Sequence, residues 1–263
     1  MKRFICIFMI FALCFSFASC SLNDKAPDST ETSAEVTTTL PAPVIASSEH
    51  SKEFKDENGR VVYTVDVVIP QITDFESEAI KDYINEYSLE IFNEACEKAE
   101  SNFENAARFM DSRGSNTPWS RKIDFEVSFS NGRYLSFIIK EYFSMHGDET
   151  EPSLKSSTFD VVNGVPCTLF DFGLDVFSAN EVMQIIADNY LAPNVSSLFY
   201  GGSELTEEQK QLVRDTFDSE NFYLTSDGIS FYMSKYIFDP MLTGFFTCNF
   251  TWSEIAEVLK MPE

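Results

Sequence analysis

The sequence predicts an α+β fold: antiparallel sheets built from hairpins, with helices packed against them, preceded by a signal peptide and a flexible tether. Three observations carry this. Asn-Gly pairs at 58–59, 131–132 and 163–164 each separate runs of alternating apolar and polar residues, the pattern of tight hairpin turns. Between the first two pairs, Ile80, Ile84, Tyr87, Ile91 and Ala95 recur at steps of three or four, the period of one helix face. Hairpins and helices are segregated along the chain rather than alternating as βαβ units, which points to α+β.

Residues 1–19 read as a signal peptide. Lys2 and Arg3 form a positive start, residues 4–17 are almost wholly apolar, and Ala18 and Ser19 are small. The apolar run is shorter than the ~20 residues that span a bilayer, so cleavage is expected rather than a permanent span. Residues 20–51 are rich in Ser, Thr, Ala and Pro, without a periodic apolar face. They are expected to form a disordered tether.

Residues 52–120 are read as a small N-terminal α+β module. Its hairpin turns at Asn58-Gly59, and Val61, Tyr63, Val65, Val67 and Ile69 supply one apolar strand face. The helix follows, to about Met110, and a loop containing Gly114 and Pro118 ends the module. Residues 121–263 are read as the C-terminal domain. Ile123, Phe125, Val127 and Phe129 alternate before the second Asn-Gly turn, residues 134–143 return, and a third hairpin spans 158–169. Ser178-x-x-Glu181 and Thr206-x-x-Gln209 are capping boxes that open helices, and Thr251-x-x-Glu254 is expected to open a last short one. Between the last two, strands are expected over 222–225, 229–232 and 245–250, with a turn at Asp227-Gly228.

Two resemblances bear on function. Phe17-Ala18-Ser19-Cys20 resembles the lipobox of bacterial lipoproteins, with Phe in place of the usual Leu. It implies lipidation of Cys20 and a membrane anchor through acyl chains at the outer face of the cell membrane. The block 222–232 (FYLTSDGISFY), with Tyr236-Ile-Phe-Asp-Pro240, Gly244 and Trp252-Ser-Glu-Ile255, resembles the RsiV-like extracytoplasmic domains. So do 159–164 (FDVVNG) with 169–172 (LFDF), and the 141–147 segment (EYFSMHG), where Ser144 and Met145 replace the family's small glycines. Residues 65–85 look like the smaller partner module. Such domains occur in the anti-sigma factor RsiV, beside peptidoglycan deacetylases, and in lipoproteins of unknown function. In the anti-sigma factor the domain is understood to bind lysozyme. Only Met1 to Arg3 precede the leader here, so a cytoplasmic sigma-binding segment is not expected.

Charge narrows the partners. With 19 Lys and Arg against 42 Asp and Glu, the formal net charge is −23. No cationic surplus exists to displace counterions from phosphates, so nucleic acid is not an expected partner. A cationic partner is attracted instead, with an encounter rate that falls with salt. Catalytic signatures are absent: there is no P-loop, no Gly-x-Gly-x-x-Gly and no Gly-x-Ser-x-Gly elbow.

The two histidines are His50, assigned to the tether, and His146. His146 with Asp148, Glu149 and Glu151 could form a cation site, but solvated loop residues are the favoured reading, so no metal or cofactor is expected. Cys96, Cys167 and Cys248 are too widely spaced for a redox pair or a zinc knuckle. Three buried thiols are favoured, and one disulfide with a spare thiol is the alternative. Tyr232, Tyr236, Trp252 and Phe238 could form an aromatic surface, although their strand-like context favours the core.

The functional expectation is a non-catalytic binding domain for a cationic wall-active protein such as lysozyme, or for peptidoglycan. His146, Tyr232, Tyr236 and Trp252 are its candidate binding residues. A hydrolase acting through two carboxylates and a structural or assembly lipoprotein are the alternatives.

Overall fold

A computed structural model describes residues 41–145, 147, 152–196, 205–239 and 244–261. Six strands follow one another across a single sheet: β1 (Val44–Lys55), β2 (Val61–Asp74), β3 (Trp119–Ser130), β4 (Tyr134–Ser144), β5 (Ser153–Asp160) and β6 (Val165–Pro166). The three Asn-Gly turns fall where the sequence puts them, each held by a side-chain oxygen. Asp56 Oδ1 accepts from the backbone N–H of Asn58 at 2.9 Å and of Arg60 at 3.0 Å. Asn131 Oδ1 accepts from Arg133 at 2.8 Å and Tyr134 at 2.6 Å. Asp160 Oδ1 accepts from Val162 at 2.9 Å and Asn163 at 3.0 Å. Short polar side chains thereby replace ladder bonds where the chain reverses. Gly164, at φ 69°, also permits close packing: a Cβ there would lie 2.9 Å from Ile80 Cγ1.

The helix expected after β2 is α1 (Glu78–Arg113), opened by Ser77 and closed by Gly114 at φ 61°. Its 36 residues cover roughly 54 Å at ~1.5 Å each. The 14 residues of β2 cover roughly 46 Å at ~3.3 Å each. The helix therefore returns the chain to the end where β2 began, and β3 must run the same way. Tyr63 to Val67 pair in parallel with Trp119 to Ile123. This corrects the purely antiparallel expectation at one pairing; the other ladders are antiparallel. Ala95, Ala99 and Ala106 are buried on α1, and their small size lets the helix lie close over Tyr63, Val65, Val67 and Ile69.

The tether boundary at 51 is also corrected, because β1 begins at Val44. No residue of β1 is fully buried, so side-chain patterning could not announce it. It is an edge strand held by its ladder with β2. His50 accordingly belongs to the sheet. Its ring lies 5.2 Å from that of Phe92 on α1, and it hydrogen-bonds Ser48 Oγ at 3.0 Å.

A second, antiparallel sheet contains β7 (Phe222–Leu224), β8 (Gly228–Ser234) and β9 (Phe245–Thr251). With it pack α2 (Ala179–Ile185), a π turn (Ile186–Leu191), α3 (Ala192–Val195) and α4 (Glu207–Thr216). The capping boxes at Ser178 and Thr206 both form. At Thr251 the cap bonds form too, with Glu254 Oε2 2.8 Å from the Thr251 N–H, but only turns follow. The backbone beyond is already engaged: Val258 O accepts from Leu174 N, and Lys260 N donates to Phe172 O. Those bonds compete with helix propagation.

The expected division at 120/121 falls inside β3, and the sheet runs through it. Thr39–Glu263 form one compact unit. It has two cores nonetheless. Tyr134 and Leu135, neighbours on β4, belong one to each, because successive side chains leave a strand on opposite faces. Among the described residues no helix is long and apolar enough to cross a membrane.

Candidate functional site

Cys20 and His146 lie outside the described residues. The three aromatic candidates occupy different places. Tyr232 on β8 is 3 % exposed, and its hydroxyl shares a hydrogen bond with Ser156 Oγ at 3.1 Å. Tyr236 sits on the 3₁₀ turn Lys235–Ile237 and is 62 % exposed. Trp252 is half-buried against the second core and stacks on Phe172 with centroids 6.1 Å apart. They do not converge on one aromatic surface. Tyr232 lines a cleft that sequence patterning does not reveal.

That cleft lies along β5. The strand pairs with β4 from Ser153 to Asp160, but with β6 only at Phe159 and Asp160. Among the described residues no strand pairs with the outer side of 153–157. The Cys167 N–H donates to Thr158 O, so the backbone groups of Thr158 face outward. By the two-residue period of a strand, those of Ser156 and Leu154 do as well.

Beside this edge is a cavity of about 290 Å³. Tyr87, Glu90, Ile91 and Glu94 of α1 form one wall, Glu220, Asn221 and Tyr232 the other, and Leu154 to Ser157 the floor. The walls are pinned to the floor. Tyr87 OH bonds Ser157 Oγ at 2.8 Å, and its ring meets Phe159 edge-on at 5.2 Å. Ser156 Oγ donates towards Glu220 O and Phe222 O while sharing its bond with Tyr232. Burial pushes the Tyr232 phenol above its ordinary pKa, so it stays a neutral hydrogen-bonding group.

Three carboxylates line the cleft against one lysine, and Lys155 lies 3.5 Å from Glu94. Such a site offers backbone donors and acceptors in strand geometry, two fixed tyrosines, and negative charge on both walls. It suits an extended or cationic ligand. Among the described residues no three His, Cys, Asp or Glu side chains are grouped so as to hold a metal ion. Cys96, Cys167 and Cys248 are free. Burial raises all three thiols, Cys167 and Cys248 to about 12, which leaves them protonated and poorly nucleophilic.

Comparisons with known proteins agree with this architecture. The structure resembles that of a DUF3298-family member from Bacteroides fragilis at a TM-score of 0.57 and 15 % identity, covering 85 % of this chain and 96 % of that one. The fold is similar to that of this DUF3298-family structure. A second DUF3298-family structure, from Pseudomonas aeruginosa, aligns over 84 % of this chain and 94 % of its own, with 14 % identity and a TM-score of 0.45. The family model described as deacetylase PdaC matches residues 56–144. That match runs from the first hairpin turn to the end of β4, and so contains β2, α1 and β3. A search of curated proteins found no match. Within the DUF3298-like fold, the free edge of β5 lies just beyond the PdaC-matched segment.

Proposed function

We propose that this protein is an extracytoplasmic binding module, anchored to the membrane by lipid on Cys20, which captures a cationic wall-active protein of the lysozyme type without catalysis. The observation that carries the reading is electrostatic. The chain bears a net charge of −23, and Glu90, Glu94 and Glu220 line the cleft along β5. An acidic cleft attracts a basic protein and speeds its encounter. The apolar leader ending at Cys20 and the RsiV-like motifs over 222–255 support the same reading.

The test is retention on the immobilised, detergent-solubilised protein. Lysozyme is expected to bind at low salt and elute at high salt. If neither lysozyme nor purified cell wall is retained, the binding function fails. Retention of wall alone would favour peptidoglycan as the ligand, a reading supported by the match to a deacetylase family model and by the resemblance to domains found beside peptidoglycan deacetylases. Anchoring has its own test: Cys20→Ala is expected to release the protein from the membrane fraction and abolish labelling by radioactive fatty acid.

A further inference from the structure

An open strand edge presents unpaired N–H and C=O groups that template the addition of another strand. At β5 the ladder to β6 stops at Phe159, and the outward groups of Leu154 and Ser156 face the cleft. No helix lies across this edge among its lining residues. Tyr87 and Glu90 of α1 flank it on one side, and Glu220 and Tyr232 flank it on the other. A strand added beside β5 would lie ~4.8 Å from it, within the cleft.

We propose that the cleft takes an extended, lysine- or arginine-bearing polypeptide segment, which pairs with β5 as an added strand. The inference rests on the binding function proposed above and names its mode and partner chemistry. Charge decides the occupant. Side chains of an added strand alternate between faces, one set meeting Glu90 and Glu94 on α1 and the other meeting Glu220. Basic residues at neighbouring positions point to opposite faces and therefore find a carboxylate on either side, and their aliphatic stems can lie along Tyr87 and Tyr232. A second copy of this acidic chain would set carboxylates against carboxylates. Main-chain bonds supply affinity in this mode, and the alternating side chains supply specificity.

The probe is a fluorescent heptapeptide, Val-Lys-Lys-Val-Lys-Lys-Val, whose paired lysines point to both faces of a strand, followed by anisotropy with the full-length protein in detergent. Three comparisons decide. The same peptide N-methylated at every amide keeps its charge but cannot donate to β5. Leu154→Pro removes an outward N–H and spares the β4 ladder. The triple variant E90K/E94K/E220K inverts the exposed rim, including the partner of Lys155, and tests charge without changing the backbone of the strand. Saturable binding is expected for the wild type, with each of the three changes weakening it about tenfold or more.

The proposal is overturned if the unmodified peptide does not bind, or if the N-methylated peptide binds equally well. It is also overturned if a Leu154→Pro protein with native circular dichroism binds as the wild type does. A dimer in sedimentation that Leu154→Pro dissociates would assign the edge to a second copy instead, and so also overturn it. Lysozyme retention that persists while the peptide comparisons fail would leave the binding function standing and remove only strand addition.

Discussion

Ser136 is a fully buried side chain that bonds one sheet to the other, as Ser156 also does, and replacing it with alanine should be costly. Its Oγ accepts from the Leu224 N–H at 3.1 Å and shares a bond with Thr158 Oγ1 at 2.8 Å. Ser136 and Leu224 are both 0 % exposed, so water cannot take over. Ser136→Ala leaves the Leu224 N–H buried without an acceptor, worth about 1–3 kcal/mol, and removes a partner from the Thr158 hydroxyl, worth about 1 kcal/mol. The expected loss is about 2–4 kcal/mol. At a slope of about 3 kcal/mol per molar urea, the midpoint falls by about 1 M. Thr158→Val keeps the acceptor for Leu224 and should cost only about 1 kcal/mol.

The assay is urea unfolding followed by tryptophan fluorescence, since the two tryptophans report on different cores. Trp119 is buried in the first and Trp252 packs against the second. Trp119→Phe and Trp252→Phe isolate each reporter. Because Ser136 ties the cores together, both reporters should give one midpoint. A fall smaller than about 0.2 M, or two separate wild-type transitions, would refute the reasoning.

Three further outcomes are expected. Gly228→Ala places a Cβ 1.9 Å from Phe250 O. A backbone oxygen cannot step aside, so a loss of about 3 kcal/mol is expected, and an unchanged melting temperature would count against it. Glu181 and Glu254 accept from the backbone and hydroxyl of Ser178 and Thr251, which holds both carboxyls below the ordinary 4.5. Depressed folded-state values mean that their contribution is present above the unfolded pKa and lost as pH falls through the folded one. The stability gap between wild type and E181Q/E254Q should therefore shrink as the pH falls below 4.5; a gap unchanged on acidification would contradict it. Cys96, Cys167 and Cys248 should react with a thiol reagent at pH 8 only after unfolding, and rapid labelling of the native protein would show that the thiols are not protected.

Much of the fold was legible because it is locally encoded. The three Asn-Gly turns, the α1 stripe and the caps at Ser178 and Thr206 depend on residues within a few positions of one another, and all are found. The candidate cleft was not legible, for the same reason that β5 was read too short. The sequence predicts a strand only from Thr158, whereas β5 starts at Ser153. The unread residues, Ser-Leu-Lys-Ser-Ser, are those of the free edge. An edge strand has few neighbours to bury against, so selection for alternation is weak and its residues read as loop. Tyr232 stands out in the sequence as an aromatic candidate, but its partner Ser156 is 76 positions away, beyond the reach of any spacing rule.

The sequence by itself determined the turns, the helix caps, the strand faces and the acidic charge, since each follows from short-range backbone preference or from composition. Only the tertiary structure decided that β3 runs parallel to β2, that residues 44–51 belong to a sheet, and that, among the described residues, the outer side of 153–157 on β5 stays unpaired between two acidic walls. Those outcomes depend on where a 36-residue helix returns the chain and on which hydrogen-bonding groups the neighbouring strands leave unpaired.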